Sequence, residues 1–558
     1  MTKYQRFLYN GTLLALTSLC IRGIGVLFNR YLSVHIGPSG LGQFSLLMSV
    51  WGFAVTAASA GIHLALTRVV SESDDRAEER YAVQCGLRYS SIVGSGACIL
   101  LWLLAPVIGN RFLGFEEAVP ALRMLALALP PLSLSTTISG YFVAVRHAYK
   151  GAAIGVFGQV IRIGVTVFAL RVLSMRGAWP CYALAAGAVA SEYACFFLSL
   201  IAFLPQFRRR TRDLRSGLRL PDPDKRRRIT RYVLHIAQPI AAAACIRSGL
   251  STLQNLLIPI GLERSGAASV AALSAYGTMH GLVLPILLLP AAVLSSYAGL
   301  LIPEISALRA HGRHDDVRSS ASCVLRITVC VSLFVCGCLL CDGARIGAAV
   351  GGNAEAGQYL RAAAALVPIM YLDSAVDAFL KSLDAQMDSM RYNVMDAAFC
   401  VVMAYLLLPP LGITGYILLL YLSELFNLGL SLGRLIGLTG LHIPLMEWIG
   451  KPVAAVIGAC TASVFFFRST GITYRFAATD ITVHILVCAV FYLLFLALLG
   501  IIGKHEVSAF RRMFFPAIKL PLAKRDNAWY NKNNAKQRNG YHHAKRNPTQ
   551  HGRSARRL

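Results

Sequence analysis

Charge is what this sequence has least of. Only 15% of its 558 residues are Asp, Glu, Lys or Arg and 56% are hydrophobic, whereas a soluble domain carries roughly 25% charged residues, so a soluble globular protein is excluded. Acids are scarcer still, 27 against 54 Lys and Arg. There is no Gly-rich phosphate loop of the Walker type, which excludes ATP hydrolysis by that route. A nucleophile elbow and a metalloprotease helix are also missing, so no enzyme is expected. The apolar runs do not alternate with polar residues, which excludes a membrane barrel. Cysteine is plentiful at 14 but lacks zinc-ligand spacing. Cys330, Cys336, Cys338 and Cys341 share one apolar run, where thiols behave as small hydrophobes. No metal and no other cofactor are expected.

What is present is a series of apolar runs, each of about 20 residues, the length that carries a helix across about 30 Å of hydrocarbon. About fourteen can be marked, the first near 8–34 and the last near 481–503. The least distinct are the short pair flanking Pro409 and Pro410. The expected fold is therefore an all-α polytopic membrane protein. Cations set its orientation. With the N-terminus inside, Arg76, Arg146, Lys150, the cluster from Arg208 to Arg231, Arg313 and Lys381 fall in inner loops, as the positive-inside rule requires. Both termini are then cytoplasmic. The first run is too long for a signal h-region and is expected to stay as a membrane anchor.

The longest inner loop divides the chain. Residues 1–206 are expected to form an N-terminal lobe of six spans, 207–231 a basic cytoplasmic linker, and 232–440 a C-terminal lobe of six more. Two further spans follow at 441–503, and the polar, basic 504–558 reads as a disordered cytoplasmic tail. Linker and tail are expected to attract anionic lipids of the inner leaflet rather than nucleic acid, and the chain is expected to act as a monomer. A weak repeat supports the division: Cys20-Ile21-Arg22 in the first span recurs as Cys245-Ile246-Arg247 in the seventh.

Those two arginines are the main functional signal. Arg22 sits near the middle of its span, where a cation costs about 2.5 kcal/mol or far more and normally faces a bundle interior or a wet cavity. Gly11, Ser18, Arg22, Gly25 and Asn29 recur at helical spacing and form one small or polar face. In the seventh span Arg247, Ser251 and Gln254 do the same, with Asn255 beside them. Two midplane arginines on corresponding helices describe a cavity that receives anions. The competing readings are that Arg22 snorkels, or that each arginine is neutralised by a buried acid, for which Asp373, Asp377, Asp396 and Glu424 are available. Asp373 and Asp377 share a helical face, Lys381 follows a turn later to pair with Asp377, and Asp384 continues the face. Asp373 and Glu424 are the candidates for binding a coupling proton or Na⁺. Prolines inside spans, among them Pro285, Pro290 and Pro368, suit helices that bend.

The segments NGTLLALTSLCIRGIGVLFNRYLSVHIGPSGLGQFSLLMSV, SAGIHLALTRVVSE, SGYFVAVRHAYKGAAIGVFGQVIRI, YLDSAVDAFLKSLDAQMDSMRYNVMDA and LPPLGITGYILLLYLSELFNLGLSLGRL resemble the stage V sporulation protein B group of polysaccharide transporters. These belong to the multidrug/oligosaccharidyl-lipid/polysaccharide exporter superfamily, and the likeness covers about residues 8–440. It implies two six-helix lobes in a V around a central cavity, and alternating access that flips an undecaprenyl-diphosphate-linked sugar. Arg22 matches a first-helix arginine that the superfamily's lipid II flippases use in the cavity. A further Arg-Asp pair of those flippases falls here on Phe28 and Asn29, which leaves another lipid-linked oligosaccharide as open as lipid II. A multidrug or cation antiporter of the same superfamily, and a membrane scaffold for cell-wall or spore-coat assembly, are the alternatives.

Overall fold

The computed structural model describes residues 3–501 apart from 74, 116, 175–178, 212–221, 295–304, 307, 352–353 and 471–476. Gly11–Gly503 forms one compact unit; the other comprises Met1–Asn10 and Lys504–Leu558, of which only the helical stretch from Lys3 is described. The expected tail at 504–558 lies outside the described residues. The helices are α1 (Lys3–Ser59), α2 (Ile62–Glu72), α3 (Arg76–Val107), α4 (Ala118–Ala126), α5 (Leu129–Ala144), α6 (Ala148–Ser174), α7 (Cys181–Thr211) and α8 (Pro223–Arg264). They continue with α9 (Ser269–Thr278), α10 (Leu284–Leu288), α11 (His314–Gly351), α12 (Ala354–Ala362), α13 (Leu366–Ser382), α14 (Gln386–Thr439), α15 (Lys451–Thr470) and α16 (Ala477–Leu498). Among the described residues there is no strand.

Helices are the outcome that a bilayer imposes, because hydrocarbon offers no partner to a free peptide group. Eleven helical stretches are long and apolar enough to cross a membrane, and α12 with α13 makes one more, bent by 57°. Two of the eleven hold a non-helical residue, Gly37 in α1 (φ 74°) and Gly412 in α14 (φ 56°). Only glycine adopts such positive φ without strain, so each of these stretches is two helices joined at a glycine. Among the described residues the candidate spans number eleven, or twelve with the bent pair, against about fourteen apolar runs, and the two glycine breaks account for part of the difference. Pro368 lies in the first turn of α13, just past the 57° bend.

The break expected between the runs 393–409 and 413–433 falls at Gly412, with Pro409 and Pro410 inside the helix that precedes it. Two local expectations change. The basic linker is shorter than 207–231, because α7 continues to Thr211 and α8 begins at Pro223. Arg and Lys are good helix formers, and a proline in the first helical turn loses no bond. Asp384 does not continue the face of α13; it has φ 54° in the turn that follows Leu383.

That turn has a counterpart. Arg146, with φ 61°, follows α5 as Asp384 follows α13, and these are the only described non-glycine residues at positive φ. His147 N–H bonds Phe142 O at 2.7 Å, and Ala385 N–H bonds Leu380 O at 2.9 Å, the same six-residue closure in both turns. The same closure thus ends α5 and α13.

Packing follows the rule for helices in lipid, where small residues let backbones approach. Helix α8 touches α2, α3, α9 and α14. Its buried Val233 and Ala237 join Ile62, Leu66, Tyr141 and Phe203 in one core, whereas Ile258 and Leu262 join Tyr276, Leu408 and Tyr416 in another.

Candidate functional site

The polar face of α1 lies against α9, α10 and the π-helical turn Met279–Val283 between them. Arg22 Nη1 donates to Leu288 O at 3.0 Å, and Asn29 Nδ2 donates to Gly281 O at 2.7 Å. The two donors and the two acceptors are each seven positions apart and run in opposite senses, so the helices are antiparallel along this contact. Both acceptors sit at irregular backbone. Leu288 ends α10 just before the turn at Leu289 and Pro290, and the last carbonyls of a helix lack intrahelical donors. The neighbouring carbonyl, Leu287 O, takes the Tyr371 hydroxyl at 2.7 Å. Arg22 is exposed, and its acceptor is a peptide oxygen, not a carboxylate. Phe28, one of the two positions where the resemblance breaks, is buried in the core.

Beyond Asn29 the backbones touch. A Cβ on Gly42 would lie 2.2 Å from Leu273 O, and one on Gly277 would lie 2.2 Å from Pro38 O. Glycine at both positions lets the second half of α1 and α9 meet directly, at the end of the bundle where the chain turns at Gly37.

On α8, Arg247 is exposed and Ser251 and Gln254 are half-buried. Thr252 Oγ1 donates to Ser49 O at 3.1 Å and Asn255 Nδ2 to Ser49 Oγ at 3.0 Å, so this part of α8 is tied to α1. Arg247 interacts electrostatically with Asp373 on α13 and Asp396 on α14.

The acids form a second group. Asn427 Nδ2 donates to Asp373 Oδ2 at 3.0 Å, and Ser423 Oγ donates to Asp396 Oδ1 at 2.9 Å. Glu424 interacts electrostatically with Asp373 and Asp396. Asp373 Oδ1 and Asn427 Oδ1 are buried with no hydrogen-bond partner among the described residues. Among those residues no three His, Cys, Asp or Glu side chains converge as a metal site. Asp377 is paired with Lys381 at 2.5 Å, as the helical spacing of the two charges requires, accepts a hydrogen bond from Ser389, and also interacts electrostatically with Asp373.

Sequence reasoning missed several of these residues. Asn427 and Ser423 carry no signal on their own, because amides and hydroxyls are common in spans. Arg162 and Glu192 did carry one: they lie inside α6 and α7 and interact electrostatically, and the rule of depth that selects Arg22 selects them too.

Residues 7–219 match a family model described as polysaccharide biosynthesis protein. Stage V sporulation protein B of Bacillus subtilis (strain 168) is 21% identical over 510 residues, covering 90% of this chain and 97% of that protein. Among solved structures, the lipid II flippase MurJ in an inward closed conformation aligns with a TM-score of 0.66 at 11% identity, over 88% of this chain and 99% of that one. An inward-facing multidrug resistance MATE family transporter of the MOP superfamily aligns with a TM-score of 0.59 at 12% identity, over 77% of this chain and 100% of the other. The chain resembles the stage V sporulation protein B group, as its motifs imply. It is a multi-pass membrane protein with the all-α fold of these transporters.

Proposed function

We propose that the chain is a flippase that moves an undecaprenyl-diphosphate-linked oligosaccharide or peptidoglycan precursor across the bacterial cytoplasmic membrane by alternating access. The lobes that rock would be residues 1–206 and 232–440, with both termini in the cytoplasm. One observation carries this reading: Arg22 and Arg247, in the first helix of each half, are exposed cations, and Arg22 is held by a carbonyl that a diphosphate could replace. A guanidinium binds phosphate oxygens through paired, charge-assisted hydrogen bonds, while the lipid tails of such a substrate stay in the bilayer. Ser251 and Gln254 lie on the same face of α8 and would meet the sugar. Asn29 is committed to Gly281 O and would shape the cavity wall. In the proposed orientation the Gly42–Gly277 contact closes the outer end.

Asp373, with Asn427 and Glu424, is the proposed site for a coupling proton or Na⁺, since a buried carboxylate oxygen without a donor invites one. The same acids favour a second reading, a cation or drug antiporter, which needs acidic rather than basic groups at mid-cavity. Proteoliposomes decide between them. Flipping of undecaprenyl-diphosphate-linked sugar is measured for the native chain, Arg22→Ala and Arg247→Ala. Loss in both folded variants supports the anion-binding flippase; unchanged flipping makes the arginines structural, and no flipping by the native chain moves the antiporter or scaffold ahead.

A further inference from the structure

In the proposed function Arg22 has two acceptors to serve, the substrate anion and the Leu288 carbonyl, and the charged anion competes with the neutral carbonyl for the position of the guanidinium. We infer that Arg22 is a latch: its bond to Leu288 O fastens α1 to α10, and an incoming diphosphate releases that fastening by taking the guanidinium. The inference rests on the flippase reading and adds how binding is coupled to movement.

The contact between α1 and the α9–α10 stretch combines apolar packing of Phe28, Leu32, Leu41 and Phe44 around Leu282 with two side-chain hydrogen bonds. Arg22 to Leu288 O at 3.0 Å and Asn29 to Gly281 O at 2.7 Å are both side chain to backbone. Beyond them lies the direct backbone approach at Gly42 and Gly277, which is van der Waals contact and holds only while the helices stay aligned. Leu288 O suits a reversible partner. It ends a helix, so a donor is welcome there, yet it is one neutral oxygen. A diphosphate offers several charged oxygens in the planar, two-pronged arrangement that guanidinium prefers. Tyr371 keeps the adjoining Leu287 O occupied from a buried position, so α10 stays tied to α13 when Arg22 leaves. Arg22 itself is exposed and open to an anion. Exchange of acceptors would leave Asn29 as the remaining side-chain hydrogen bond, and the α1–α10 seam would loosen in response to the charge that the transporter has to recognise.

The test is hydrogen–deuterium exchange of the full chain in nanodiscs, followed on peptides covering residues 279–290. The probe is undecaprenyl diphosphate without sugar, with inorganic pyrophosphate and undecaprenol as controls. The native chain is expected to exchange faster there by about tenfold when the lipid diphosphate is bound, the effect of losing one charge-assisted bond. Undecaprenol should do nothing. Arg22→Ala should exchange fast with or without the probe. Asn29→Ala, which loosens the seam but spares the cation, should start faster than native and still respond. Equal exchange in native protein and Arg22→Ala without probe overturns the latch, as does native protein that binds the probe and keeps its exchange unchanged. Absence of probe binding to the native chain counts against the flippase reading instead, and the comparison without probe still decides whether Arg22 fastens the seam.

Discussion

Asn427 donates its side-chain amide to Asp373 Oδ2 at 3.0 Å, and the remaining oxygen of each residue is buried without a partner among the described residues. Two acceptors face inward from α13 and α14 with nothing to accept. Leaving such groups dry costs about 1–3 kcal/mol each, so a proton, a cation or water is expected to serve them.

Asp373→Asn keeps the shape and removes the charge. Flipping driven by a proton or Na⁺ gradient should fall to the level seen without the gradient, while binding of the lipid diphosphate persists. A variant that keeps its gradient dependence would move ion coupling to Glu424 or Asp396. Asn427→Ala should leave Asp373 with no donor and lower stability by about 1–3 kcal/mol, read as a lower midpoint of thermal unfolding in detergent.

Arg247→Gln should weaken diphosphate binding by roughly 10- to 100-fold, the worth of one charge-assisted hydrogen bond, without weakening binding of the uncharged lipid alcohol. Equal loss for both ligands would assign Arg247 to packing.

Gly42→Leu and Gly277→Leu place a side chain where the Cβ alone would lie 2.2 Å from a carbonyl oxygen. Each should push α1 and α9 apart and raise labelling of engineered thiols at this end by an impermeant reagent. Native-like labelling in both would show that the seam yields without opening.

His484 Nδ1 and Asp342 Oδ2 lie 2.7 Å apart, both residues buried, and join α16 to α11 away from the cavity residues. Asp342→Ala is expected to reduce stability by about 1–3 kcal/mol through the orphaned histidine and to leave flipping per folded molecule unchanged. A selective loss of flipping would bring the last two helices into the transport step.

Much of the fold was legible because it depends on local quantities. Hydrophobic length marks a span wherever the span packs, so about fourteen apolar runs could be marked before any contact was known. Depth in a span also picks out Arg22 and Arg247. A boundary that hinges on one residue's φ was less legible, as at Asp384, because an aspartate in a helical pattern gives no sign that it will sit at positive φ.

The sequence by itself determined the helical class, since that follows from the cost of placing peptide groups in hydrocarbon, and it singled out Arg22 and Arg247 as cations within apolar runs. Only the tertiary structure decided what each polar group holds. Arg22 binds a carbonyl 266 positions away and not an acid, and Asp373 takes an amide 54 positions on. Such choices turn on distances of a few ångströms between helices, and hydropathy along one helix does not encode them.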